Sequence, residues 1–273
     1  SNIADWSMGL LCPSDWKAQW IGNREDIFPD STLTFPAPYF RKEFVVAKPI
    51  KKAMAYVCGL GFYEMYFNGE RVGEQVLAPA VTNYDRRSLK KLLYHYDDQS
   101  TQRVFYNVFD VTGNLKMQNN AIGIILGNGW YNQRDRTVEG HMWYDVPKMI
   151  LQLEIEYEDG TKEMIVSDNS WKTTTGPLLH DAIFTGEIYD ARKDLGHWNR
   201  ESYDDNIWES ALQVRPPTGT LMFQTIPFNK VMQIVDTHFE QLNDSLYIFT
   251  LPETVSGWCT LNVEGNSGDM IRL

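Results

Sequence analysis

Asp97-Asp98 and Asp204-Asp205 are the two Asp-Asp pairs of this sequence, and paired carboxylates are what general acid and base work requires. Neighbours on an extended chain point to opposite faces, so neither pair converges on one substrate atom, and both read as solvated turn acids. His95, His141, His180, His197 and His238 are dispersed, with no i, i+4 helical pair and no neighbouring cysteine, which argues against zinc. Of these, only His141 is kept, as a ligand-side donor within an aromatic loop. Cys12, Cys58 and Cys259 have neither metal spacing nor the numbers for a disulfide framework, and an odd count leaves at least one thiol free. Ser256-Gly257 and Cys259 lack the strand–turn–helix context of a nucleophile elbow.

The segment from Gly127 to Tyr144 is the most informative for binding. It carries Trp130, Tyr131, Trp143 and Tyr144 alongside Asn128, Asn132, Arg134, Asp135, Arg136 and His141. Flat apolar faces beside amides and charges are the mixture that stacks on and hydrogen-bonds a sugar, so Asn128, Trp130, Tyr131, His141 and Trp143 form the candidate carbohydrate set. Aromatics beside glycines also plug the open end of a β-sandwich or cover a neighbouring domain, and the residues alone leave both readings open.

The elements that would carry these residues are strands. Short runs rich in Val, Ile, Tyr and Phe recur between Gly, Asn, Asp and Pro, and no apolar helical period lasts four turns, which predicts single-turn helices at most. Strands are expected over 39–45, 53–58, 62–67, 102–111, 119–126, 148–157, 163–166 and 170–174. Asn68-Gly69 marks a type I′ hairpin turn, with Asp159-Gly160 another. Residues 148–157 alternate cleanly, which predicts one solvated face. The polar segment 190–211, with its interleaved tryptophans, reads as a long ordered loop or short helical turns rather than a strand. Beyond the prolines at 216, 217 and 227, strands are expected at 246–249 and 258–263, and a further one from 270. Three strands make no independent sandwich, so this stretch reads as the start of a second β-domain in a piece of a longer chain.

With 273 residues the chain has enough length to bury roughly three quarters of its unfolded surface, so disulfide staples are not needed. A net charge of −11 excludes a polyanionic partner such as nucleic acid and any electrostatic hold on an acidic membrane. No apolar run approaches the roughly 20 residues of a membrane helix. Ser1-Asn2 looks like a tag scar. No signal peptide is visible, which leaves the compartment open: periplasmic or extracellular if one was removed, cytoplasmic otherwise.

Several strings together are similar to the N-terminal β-sandwich of bacterial α-L-rhamnosidases. They are Gly59-Leu60-Gly61-Phe62-Tyr63-Glu64, Asn68-Gly69-Glu70-Arg71-Val72-Gly73, Leu77-Ala78-Pro79, Thr82-Asn83-Tyr84 and Phe109-Asp110-Val111-Thr112. Also in order are Asn120-Ala121-Ile122-Gly123, Leu126-Gly127-Asn128-Gly129-Trp130-Tyr131, Ser170-Trp171-Lys172, Thr175-Gly176-Pro177 and Gly186-Glu187-Ile188-Tyr189-Asp190-Ala191-Arg192. Asp15 to Gly22 resembles the segment that leads into that domain, and Ser256 to Gly268 the start of the β-domain after it.

The resemblance implies an all-β protein: a leading segment and first strand over 1–37, a jelly-roll-type antiparallel β-sandwich over 38–225, and an incomplete second β-domain over 226–273. In the resembled family, hydrolysis belongs to an (α/α)6 barrel that follows these domains and uses paired glutamates for inversion. Inversion needs two carboxylates roughly 6.5–9.5 Å apart on a rigid frame, and no such helical frame is present, so no catalytic residue is assigned. The implied partners are a rhamnose-containing carbohydrate and the C-terminal (α/α)6 catalytic domain of the same chain. The alternatives are an independent carbohydrate-binding module and a purely structural spacer. Calcium is an optional ligand of such modules, with Asp85 and Asp145 as the oxygen donors, although Arg86 and Met142 stand where a calcium site prefers oxygens. Glu187 and Asp190 are expected to form a buried ion pair with Arg192 at a domain junction.

Overall fold

The computed structural model describes residues 9–24, 35–85, 102–133 and 144–272. The chain divides into two compact units, Ser1–Asn229 and Lys230–Leu273. Helix is limited, among the described residues, to three 3-10 turns at Pro13–Asp15, Thr112–Asn114 and Ala191–Lys193, so the all-β expectation holds.

In the first unit the strands are β1 (Ile21–Gly22), β2 (Pro38–Val46), β3 (Ile50–Leu60), β4 (Phe62–Phe67), β5 (Glu70–Arg71), β6 (Gln75–Val76) and β7 (Arg103–Asp110). They continue with β8 (Gln118–Gly127), β9 (Lys148–Tyr157), β10 (Lys162–Val166), β11 (Lys172–Thr175), β12 (Leu178–Ala182) and β13 (Gly186–Tyr189). The last are β14 (Glu209–Ser210), β15 (Leu212–Gln213) and β16 (Thr220–Phe223). One sheet runs β15-β1-β9-β3-β7-β16 with β10 also on β9, and the other runs β14-β11-β2-β8-β4-β5. Pairing within both is antiparallel except for β16, which lies parallel to β7.

Period-two alternation decides what faces inward. Phe40 and Phe44 of β2, Met65 and Phe67 of β4, Ile122 and Ile124 of β8, and Leu151 and Leu153 of β9 close a single core with Trp171. Asn68-Gly69 adopts the expected turn, with φ of 52° and 89°, so that Phe67 pairs with Glu70 across two residues.

The solvated face predicted for β9 is a correction. Gln152 and Ile150 are buried on that side, because the leading segment and neighbouring loops cover it. Gln152 Oε1 accepts from Lys17 N at 2.6 Å, and its Nε2 donates to Asp15 O at 3.1 Å, while Trp16 packs edge-on against Tyr106 at 5.3 Å. A polar residue in the alternation therefore marks a hydrogen-bonded docking point rather than water contact. The outer face of the second sheet is covered too, by Trp198 and Trp208 of segment 190–211 against Tyr39.

β17 (Asn229–Lys230) falls at the boundary of the units. Within the second unit, β18 (His238–Asn243) and β19 (Leu246–Thr250) form an antiparallel hairpin with Phe239 and Phe249 in contact at 5.9 Å. The strand expected at 258–263 is not formed, and residues 270–272 are not strand either. Without a paired neighbour, β-propensity alone does not make a ladder.

Candidate functional site

At the end of β8 the backbone turns at Gly127-Asn128-Gly129 across the turn between β3 and β4. Gly61 N donates to Gly127 O at 3.2 Å, and a Cβ at Gly61 would lie 2.1 Å from Asn128 O, so only glycine admits this crossing. The two glycine-rich motifs of the sequence are thus the two sides of one contact.

Asn128 is pinned by Asp181 of β12. Its N–H donates to Asp181 Oδ1 at 2.6 Å, and its Nδ2 donates to Asp181 O and Oδ2 at 3.0 Å each. Asn132 Nδ2 donates to Asn128 Oδ1 at 2.6 Å, which closes the loop on itself. Burial raises the Asp181 pKa to about 6, with Glu187 repelling its charge, while the Asn128 donors and His180 oppose the shift. Trp130 is half-buried and meets Phe184, at the tip between β12 and β13, edge-on at 5.8 Å.

These contacts sort the candidate carbohydrate set. Asn128 is committed to Asp181, and Trp130 retains partial exposure. Tyr131 is corrected from a stacking face to a core residue: it is 1% exposed, stacked on Tyr144 at 5.7 Å and edge-on to Tyr84 at 5.4 Å. His141 and Trp143 lie outside the described residues, as do Arg134, Asp135, Arg136, Arg86, Met142, His95 and Asp97-Asp98.

Asp85 and Asp145, the calcium candidates, are both buried but already hold protein donors. Asp85 accepts from the Thr218 hydroxyl and faces Arg215 at 3.6 Å. Asp145 accepts from Lys148 Nζ and Val146 N, each at 2.8 Å. Calcium takes six to eight oxygen ligands, and among the described residues no group of three His, Cys, Asp or Glu side chains converges on a metal.

The ion pair expected to be buried lies elsewhere. Arg192 does bond Asp190, at 2.8 Å to each carboxylate oxygen, but across two residues and on the surface, and Glu187 is exposed on β13 opposite Asp181. Besides the buried Lys148–Asp145 pair, a buried charge is Arg41, 1% exposed, which bonds Asp205 and Glu43 and donates to Trp198 O at 2.9 Å and Arg200 O at 3.0 Å. Asp205, read as a solvated turn acid, is therefore the anchor of segment 190–211, whereas Asp204 is an ordinary turn acid bonded by Asn206 N at 3.2 Å.

Asp181 and Arg24 were not singled out by the sequence. Nothing local marks Asp181, whose partner stands 53 residues away. Arg24 lies beside the loop, in a shallow cleft of about 220 Å³ counted to its open mouth, with Phe35, Pro36, Pro147, Asn128 and Asn132.

The family model described as "Alpha-L-rhamnosidase N-terminal domain" matches residues 48–233. An α-L-rhamnosidase of Formosa agariphila is 33% identical over 291 residues, covering 98% of this chain and 29% of its own. One from Alteromonas sp. is 28% identical, covering all of this chain and 29% of its own. Among solved structures, the α-L-rhamnosidase from Dictyoglumus thermophilum superposes with a TM-score of 0.73 at 39% identity, over 88% of this chain and 26% of that one. The Streptomyces avermitilis enzyme complexed with L-rhamnose gives 0.69 at 27% identity, over 80% and 20%. The chain thus spans less than a third of the length of these relatives.

Proposed function

Because the chain belongs to the α-L-rhamnosidase N-terminal domain family, we propose that it is the non-catalytic β-sandwich part of a glycoside hydrolase that cleaves terminal α-L-rhamnosides with inversion. The observation that carries this reading is the family match, together with relatives named for that activity that are more than three times as long. The partners of three carboxylates support it: Asp85, Asp145 and Asp181 are each engaged by protein donors. The sandwich serves domain packing, with Trp130 and the β12–β13 hairpin as the edge presented to a neighbouring domain or to sugar.

An aryl α-L-rhamnoside assay tests the first half. The chain alone is expected to give no turnover while a full-length relative does, and turnover by the chain would overturn the placement of catalysis. Sugar contact at Trp130 alone should be weak, about −4 kcal/mol or millimolar, because a monosaccharide offers few atoms to an exposed face. An L-rhamnose titration followed by tryptophan fluorescence, repeated with calcium and with Trp130→Ala, checks it. No response in any arm leaves packing as the role.

A further inference from the structure

Three described arginines are largely withdrawn from solvent: Arg24, Arg41 and Arg71. Arg41 faces Asp205 and Glu43, and Arg71 faces Glu64 at 3.3 Å. Arg24 has no carboxylate partner among the described residues. Its guanidinium lies 3.7 Å from the centroid of the Phe35 ring, and Nε donates to the neutral Asn23 Oδ1 at 3.3 Å. Both terminal nitrogens, the pair that grips a carboxylate end-on, are left without a protein acceptor among those residues. Removing a charge from water without an opposite charge is costly, and that desolvation pushes the Arg24 pKa down. In a chain of net charge −11, a half-buried cation with no acid beside it among the described residues is the departure that calls for a ligand.

We propose that the Arg24 cleft binds the carboxylate of an acidic saccharide, a hexuronate residue, with the guanidinium as the anion clamp. The cleft is shallow and open to solvent, so at most the planar acid group seats against the guanidinium while the rest of the molecule stays in solvent. Phe35, Pro36 and Pro147 offer apolar surface to ring C–H groups, and the Asn23 amide offers a partner for a hydroxyl. A small free anion would gain only a salt-screened ion pair, whereas a saccharide adds these contacts. The choice of a saccharide over another carboxylate rests on the glycoside hydrolase reading above.

The test is a ¹H–¹⁵N NMR titration of the whole chain at fixed ionic strength with methyl β-D-glucuronide, methyl β-D-glucoside, sodium acetate and methyl α-L-rhamnoside. The glucuronide is expected to bind at least about tenfold more tightly than the glucoside or acetate, shifting Asn23, Arg24 and Asn132 signals, and to weaken as salt rises. Arg24→Gln should reduce it to the level of the glucoside, while Arg24→Lys, which keeps the charge but not the fork, should retain part of the affinity. Glucuronide binding no tighter than glucoside, insensitive to salt or unchanged in Arg24→Gln would overturn the site. Acetate binding as tightly as glucuronide would overturn the saccharide. The salt dependence is read on the unaltered chain, so the site remains testable even if Arg24→Gln lowers the melting temperature. The rhamnoside arm, followed at Trp130, reports on the proposed function separately: either signal can be lost while the other persists.

Discussion

Two aromatic, polar connections flank the sandwich, and they are held in opposite electrostatic ways. Segment 190–211 lays Trp198 and Trp208 over the second sheet and is locked by Arg41, whose charge is met by Asp205, Glu43 and two carbonyls. The loop at Asn128 is held by Asp181, a carboxylate satisfied by amide donors with no cation bonded to it among the described residues. The first arrangement neutralises its buried charge within the fold. The second leaves a charge that the fold disfavours, as the raised Asp181 pKa records. Composition alone made the two segments look alike; what separates them is whether a counter-charge arrives from another strand.

The largest effect is expected from breaking the lock. Arg41→Met leaves Asp205, Glu43 and two carbonyls without their donor, and should cost about 2–3 kcal/mol in urea unfolding, less than the loss for a fully buried pair because both acids are partly exposed. Arg41→Met combined with Asp205→Leu should recover part of that loss. A double variant as unstable as the sum would show that the pair is not what holds the segment.

Next is Gly61→Ala, which places a Cβ 2.1 Å from Asn128 O. Backbone must move at both glycine motifs, so a loss of about 1–3 kcal/mol is expected, with Trp130 fluorescence shifted because its loop is displaced. Unchanged stability would remove the crossing from the account.

Asp181→Asn sharpens the comparison through pH. Because the folded-state pKa is raised, the folded chain holds that proton more tightly than the unfolded chain does. The contribution to stability is therefore fully present below the ordinary aspartate value of about 4 and is lost as pH rises through about 6. Subtracting the variant's stability-versus-pH curve from that of the unaltered chain should leave a fall across this window and a level line above it. A difference that is level throughout, or that rises with pH, would contradict the arrangement.

The smallest effect belongs to the surface pair. Arg192 holds the Asp190 carboxyl at a pKa of about 2, but the guanidinium is exposed and Asp190 only partly covered, so screening removes most of the benefit. Arg192→Ala should leave the melting temperature at pH 7 unchanged within measurement, and a clear drop would restore a structural role to that string.

Much of the scaffold was legible because its rules are local. Alternation along 148–157 set Leu151 and Leu153 on one face, which is the core face, and Asn68-Gly69 specified its own turn. The outer faces were not legible. Gln152 looked solvated because nothing within β9 reveals that Lys17 and Asp15 reach it, and Tyr131 looked available because Tyr84 and Tyr144 stand in other segments. The family resemblance was readable for a different reason: many short strings in order identify a lineage even where no single one has a physical meaning of its own.

The sequence by itself determined the all-β class, the principal strands and turns and the family, because strand period, turn dihedrals and motif order are properties of contiguous residues. Only the tertiary structure decided which polar side chains are paired. Arg41 and Asp205 stand 164 residues apart, and Asn128 and Asp181 stand 53 apart. Such partners are brought together by sheet packing, so a guanidinium locked by carboxylates and a carboxylate held by amides look the same until the sheets are assembled around them.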